Sequence, residues 1–94
     1  MTGTTNIENE IFETIRGELR YQDAMTRQDS HVREGLTTGE LILAMDKILK
    51  DAKDAWYSER PPHTQTRHLL RKVAALCVRV GIDNGGLPKR DQQG

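Results

Sequence analysis

In "RHLLRKVAALCVRVG", residues 67–81, basic side chains recur with a spacing that could hold an anion. His68, Arg71, Lys72 and Arg79 stand at relative positions 0, 3, 4 and 11, which at about 100° per residue is one side of a helix. Arg67 lies near the same region. Arginine forks take phosphate oxygens bidentately, and lysine and histidine add charge. Ala75 falls between them and would give a low floor between tall cationic walls. The stripe carries no acidic residue of its own, so two such stripes brought together by oligomerisation would repel unless an anion sat between them. The competing reading is a solvated flank, because basic residues are common on helix exteriors.

The other chemistry-bearing residues give weaker signals. Trp56 continues an apolar helical face as a core anchor would, while neighbouring Tyr57 falls on the polar side. There it is either a surface residue or a platform for a stacked base. His31 and His63 lie in connecting segments, with no second His, Cys or carboxylate at metal-ligand spacing, so no zinc site is predicted. The single Cys77 excludes an intrachain disulfide, and its place in "AALCV" reads as an inert core thiol. No glycine-rich phosphate loop opens a helix, since "DNGG" follows one.

Three helices would have to position these residues. "TNIE" is a capping box at Thr5 and Glu8, after which Ile7, Ile11, Ile15 and Leu19 recur every four residues, with Phe12 widening the stripe. "TRQDSHVREGLTT" is polar and reads as a loop. "TTGE" repeats the capping signature at Thr37 and Glu40. In the helix that follows, Leu41, Ala44, Met45, Ile48, Leu49, Ala52, Ala55 and Trp56 gather on one broad face. Leu43 falls on its polar side, either as a lone exposed leucine or as a subunit contact. Pro61 and Pro62 end that helix. Thr64 or Thr66 can cap the third, which buries Leu69, Leu70, Val73, Leu76, Cys77 and Val80 and stops near "GIDNGG". The prediction is an all-α chain: one domain over residues 1–94, with helices at about 5–25, 38–57 and 64–82 and a flexible tail at 87–94.

Composition limits the function classes. Ninety-four residues, 35% hydrophobic and 30% charged, permit one modest core, so association of copies is a natural source of stability. Three short amphipathic helices make a thin unit, and the expected assembly is a bundle shared between two or more chains. With 14 Lys+Arg against 14 Asp+Glu, neither general nucleic-acid binding nor a polybasic membrane anchor is indicated. No apolar run is long enough to span a bilayer, and "MTGTTNIENE" does not read as a secretory signal, so a cytoplasmic protein is expected.

"ELRYQDA", "TTGELILAMDKILKDAKDAW" and "HLLRKVAALCVRVG", taken in order, resemble the small MazG-like proteins of phage and bacterial genomes. The likeness runs from about Ile7 to Gly86. It implies an all-α oligomer. In MazG-type enzymes that oligomer hydrolyses nucleoside triphosphates to monophosphates, using Mg²⁺ held by carboxylates on two helices. Here the corresponding stretch reads "DKILKD": Asp46, Asp51 and Asp54 remain, with Glu40 upstream, but Lys47 and Lys50 stand where carboxylates are wanted. On the third helix, where acid is expected, there are His68, Arg71 and Lys72. The departure implies a frame that holds a phosphate-bearing molecule, a nucleotide or cyclic nucleotide, without a metal and without cutting it. In a phage, that would sequester a defence signal.

The leading expectation is therefore a noncatalytic oligomer that binds an anionic small molecule through His68, Arg71, Lys72 and Arg79, with Arg67 and Tyr57 nearby. A divergent Mg²⁺-dependent pyrophosphatase using Glu40, Asp46, Asp51 and Asp54 is the second. The residues allow a blander role for those carboxylates, as i,i+4 pairs such as Asp46–Lys50 and Lys50–Asp54. The third is a small interaction or inhibitor module that docks a helical face, Leu43 included, on a protein partner.

Overall fold

The computed structural model describes residues 3–28 and 35–92. Its regular structure there is helical throughout: α1 (Gly3–Gln28), α2 (Thr38–Ser58), α3 (Thr64–Asn84) and a 3-10 turn, Arg90–Gln92. That 3-10 turn lies in the tail expected to be flexible. Leu87 folds back there until a Cβ on Gly81 would sit 3.1 Å from its Cγ.

The start of α2 follows from local chemistry. Thr37 Oγ1 accepts from the Glu40 N–H at 3.1 Å, and a Glu40 carboxylate oxygen accepts from the Thr37 N–H at 2.9 Å. This capping box satisfies two orphan donors reciprocally. The first helix does not open as expected. It already runs from Gly3, so Thr5 is inside it and is not the cap, and the Thr5 side chain lies outside the described residues.

The third helix is also capped differently. Its N-cap position is His63, in a left-handed conformation with no side-chain capping bond. Neither Thr64 nor Thr66 does the work; Glu59 reaches across the double-proline turn instead. Its carboxylate accepts from the N–H groups of Gln65 and Thr66 at 2.7 and 2.9 Å and from Thr66 Oγ1 at 2.8 Å. At the far end, the Leu36 N–H donates to Asp83 Oδ2 and Asn84 Nδ2 donates to the Leu36 carbonyl, each at 3.0 Å. The antiparallel α2–α3 hairpin is thus fastened at both ends.

Partial burial pushes the Glu59 carboxyl up, but the Thr66 and Gln65 donors and nearby His63 outweigh it and hold it below its ordinary 4.5. A carboxylate lowered in the folded state stabilises fully above its unfolded value and loses that contribution as pH falls through the folded one. Glu59→Gln should therefore melt at a lower temperature than the parent at neutral pH. The gap should close on acidification below about 4.5, where the parent's carboxylate protonates too. A gap that persists unchanged at acid pH would refute the cap's ionic character.

α3 is the central element: α2 packs on one side of it and α1 on another, while α1 and α2 lie apart. The radius of gyration is 15.3 Å, against about 12 Å for a compact chain of this length. The buried apolar set among the described residues is correspondingly small: Leu41, Ala52, Leu69 and Ala75. Most residues expected in the core are only half-covered or open. Ile15 and Leu19 are half-buried, whereas Ile7, Ile11 and Phe12 on α1, Ala44, Leu49 and Trp56 on α2, and Leu70 on α3 are exposed. Cys77 is exposed as well, its Sγ 3.5 Å from Met45 Sδ, which corrects its reading as a core thiol. Each amphipathic face is wider than the single neighbour that covers it.

Candidate functional site

α1 and α3 run in the same direction, and the basic stripe lies between them. Arg71 Nε donates to Glu18 Oε1 at 3.0 Å, and Arg79 Nη2 donates to Asp23 Oδ1. Arg79 also lies 4.0 Å from Asp83, one turn farther along α3. The stripe is free of acids only in sequence; α1 supplies them in space. Ala75 is fully buried rather than an open floor. It stands between Arg71 and Arg79 on the helical wheel, and both reach α1, so α1 lies over it. The small side chain is what lets the two helices approach.

Glu18 anchors this seam and was not singled out in the sequence. It is 7% exposed and accepts from Gln22 Nε2 at 3.2 Å as well as from Arg71. Its signal was present: Ile11, Ile15, Glu18 and Gln22 follow the 4-3-4 spacing of an inward face. A stripe drawn every four residues passes over Glu18 to Leu19.

Despite that pairing, three of the expected residues converge. His68, Arg71 and Lys72 line one side of an open hollow of about 470 Å³, and Thr14, Gly17, Glu18 and Tyr21 of α1 line the other. Arg71 Nη2 lies 3.3 Å from His68 Nε2. A guanidinium can only donate, so this contact is a hydrogen bond in the tautomer whose Nε2 carries no proton. Lys72 has no ion-pair or hydrogen-bond partner among the described residues. It points into both this hollow and a second groove of about 440 Å³, where Arg79, Asp83, Met25, Ile48 and Leu76 also lie.

The remaining expected residues are elsewhere. Arg67 lines a third, more apolar groove with Ile7, Ile11, Leu70 and Ala74. Tyr57 is 77% exposed at the end of α2 and borders none of the three grooves. Trp56 stacks on His63, ring centroids 4.0 Å apart, and is not a core anchor. His31 lies outside the described residues.

The carboxylates of the metal alternative are spread over about 21 Å of α2, at 1.5 Å per residue. Glu40 is held in the capping box. Asp46 pairs with Lys50 at 2.9 Å and Asp51 with Lys47 at 3.0 Å; the expected Lys50–Asp54 pair is absent. The hydrogen bond and charge of Asp46 hold the Lys50 ammonium above its ordinary value. Among the described residues no three His, Cys, Asp or Glu side chains gather closely enough to hold a metal ion. None of the described helices is long and apolar enough to cross a membrane.

The chain matches no family model, no curated protein and no solved structure. The likeness to MazG-like proteins therefore rests on the quoted residues alone, and the function has to be argued from the hollow.

Proposed function

We propose that this protein is a noncatalytic, self-associating helical protein that holds a phosphate-bearing small molecule, a nucleotide or cyclic nucleotide, in the hollow between α1 and α3. The observation that carries the reading is the convergence of Lys72, which has no acidic partner among the described residues, with Arg71 and His68 opposite the Tyr21 ring. A hollow of about 470 Å³ suits a nucleotide-sized ligand. Lys72 and the open edge of Arg71 offer charge to phosphate oxygens, and Tyr21, 60% exposed, offers a face to a base. Glu18 opposes the ligand and would limit its affinity. The scattered carboxylates of α2 favour binding over hydrolysis. By the resemblance, a phage protein of this kind would sequester a defence signal intact.

Titration calorimetry with linear and cyclic nucleotides tests the site. Binding by the parent and a loss of tenfold or more in Arg71→Ala/Lys72→Ala, with helical content kept, is the expected pair of results. Equal affinity in the double variant would sink the assignment.

A second reading draws on a separate observation. Leu43 is 71% exposed on the polar side of α2, as a docking residue of an interaction module would be. Recovery of a stoichiometric protein partner that Leu43→Glu releases, together with no nucleotide binding, would favour it.

A further inference from the structure

The α2 helix carries an apolar stripe that the described residues leave about half exposed, the His63 ring stacking on its Trp56. Ile42, Leu49 and Trp56 follow one another at intervals of seven residues and are 54%, 46% and 53% exposed. Seven residues are close to two helical turns, so the three side chains form one ridge along α2. Met45 and Ala52 border that ridge on the side toward α3, half-buried and buried respectively. Asp46 and Lys53 border it on the outer side, both exposed. The pattern is a coiled-coil seam with its inner row already spent on α3 and its outer row about half exposed.

We infer that this ridge is the contact between two copies of the chain, paired antiparallel about a two-fold axis near Leu49. The inference rests on the self-association part of the reading above and assigns it a surface. The spacing is symmetric about Leu49, so a two-fold rotation lays Ile42 on the partner's Trp56 and Leu49 on the partner's Leu49. Charge selects the same arrangement. Asp46 lies three residues before Leu49 and Lys53 four after it, so antiparallel pairing sets each Asp46 opposite the other copy's Lys53, twice per dimer. A parallel pairing would put the two copies' Asp46 and Lys53 on opposite sides of the seam, where neither meets the other, so only the antiparallel one makes these contacts. Lys53 has no partner within its own chain among the described residues, so it is available for that contact.

Trp56 is the chain's single tryptophan, which makes the contact directly visible. Light scattering on the full-length protein should give a concentration-dependent mass of at least two chains, with Trp56 emission shifting to shorter wavelength as the protein associates. Leu49→Glu places two carboxylates at the axis and should raise the self-dissociation constant roughly a hundredfold. Its emission should stay at the long-wavelength, monomer position, and its helical circular dichroism should be kept, since Leu49 is not core. Asp46→Lys and Lys53→Asp should each weaken association, and the double variant Asp46→Lys/Lys53→Asp should restore it. A Leu49→Glu protein that keeps the parent's mass, or a double variant no better than the singles, overturns this surface while leaving self-association through another face. A parent that is monomeric at every concentration overturns the self-association reading as well. Neither result bears on nucleotide titration, so the ligand site stands or falls separately.

Discussion

Replacing Leu41 by Ala should lower stability by about 2–5 kcal/mol and leave much of the protein unfolded at physiological temperature. Leu41 is the one large side chain among the described residues with no exposure, and it lies in the first turn of α2, where its N–H bonds the Thr37 carbonyl. A domain of this size has only about 5–10 kcal/mol to lose. In a larger core, neighbours relax into part of the cavity. Here the other buried apolar residues are Ala52, Leu69 and Ala75, and two of those are already too small to move in. Leu43→Ala, two residues away and 71% exposed, is the matched control and should change stability by less than about 0.5 kcal/mol. Chemical denaturation followed by circular dichroism separates the two. Similar costs for both variants would mean that the α2 face toward α3 has been misassigned.

How much of this was legible in the sequence depends on how local the cause is. The Thr37–Glu40 box, the stop at Pro61–Pro62 and the glycine after α3 are set by neighbours within a few residues, and the sequence reading named each. The all-α, three-helix class follows from the same local patterns. What sequence periodicity does not contain is how much of an apolar face another helix will cover. Leu49 and Trp56 share a broad face with Leu41 and Ala52, and only geometry in space separates the covered half from the open one. The acids that neutralise the stripe are farther out of reach still. Glu18 and Asp23 lie roughly fifty residues from Arg71 and Arg79, on a helix whose polar residues read as solvent-facing. Glu59 escaped notice for a related reason. It sits before two prolines, outside any capping pattern, and becomes a cap only because the turn folds it back over Gln65 and Thr66.

The stripe has a structural part to play, and this changes what a mutation there means. Arg71 and Arg79 hold α1 against α3, so truncating either one disturbs the fold as well as any ligand. Lys72 holds nothing among the described residues. It is the residue on which a purely binding phenotype should appear, and Lys72→Ala with unchanged stability is the clean half of the double variant proposed above.

Glu18 gives the sharpest separation between seam and site. Its buried carboxylate is bonded to an arginine that keeps a 31% exposed side chain, so the pair is worth less than a fully buried one. Glu18→Ala removes a charge-assisted bond and should cost about 1.5–3 kcal/mol, with α1 losing hydrogen-exchange protection before the α2–α3 hairpin does. Glu18→Gln keeps an oxygen for Arg71 and removes the negative charge from the wall of the hollow. If that hollow holds phosphate, its affinity for a nucleotide should rise by about tenfold, because charges a few ångströms apart interact by more than the 1.4 kcal/mol this requires. If the hollow is only the gap above a helix seam, Glu18→Gln weakens the docking of α1 and gains nothing in binding. The two roles thus predict different outcomes for one substitution: improved binding marks a site that Glu18 restrains, and unchanged binding with a loosened α1 marks a seam and no more.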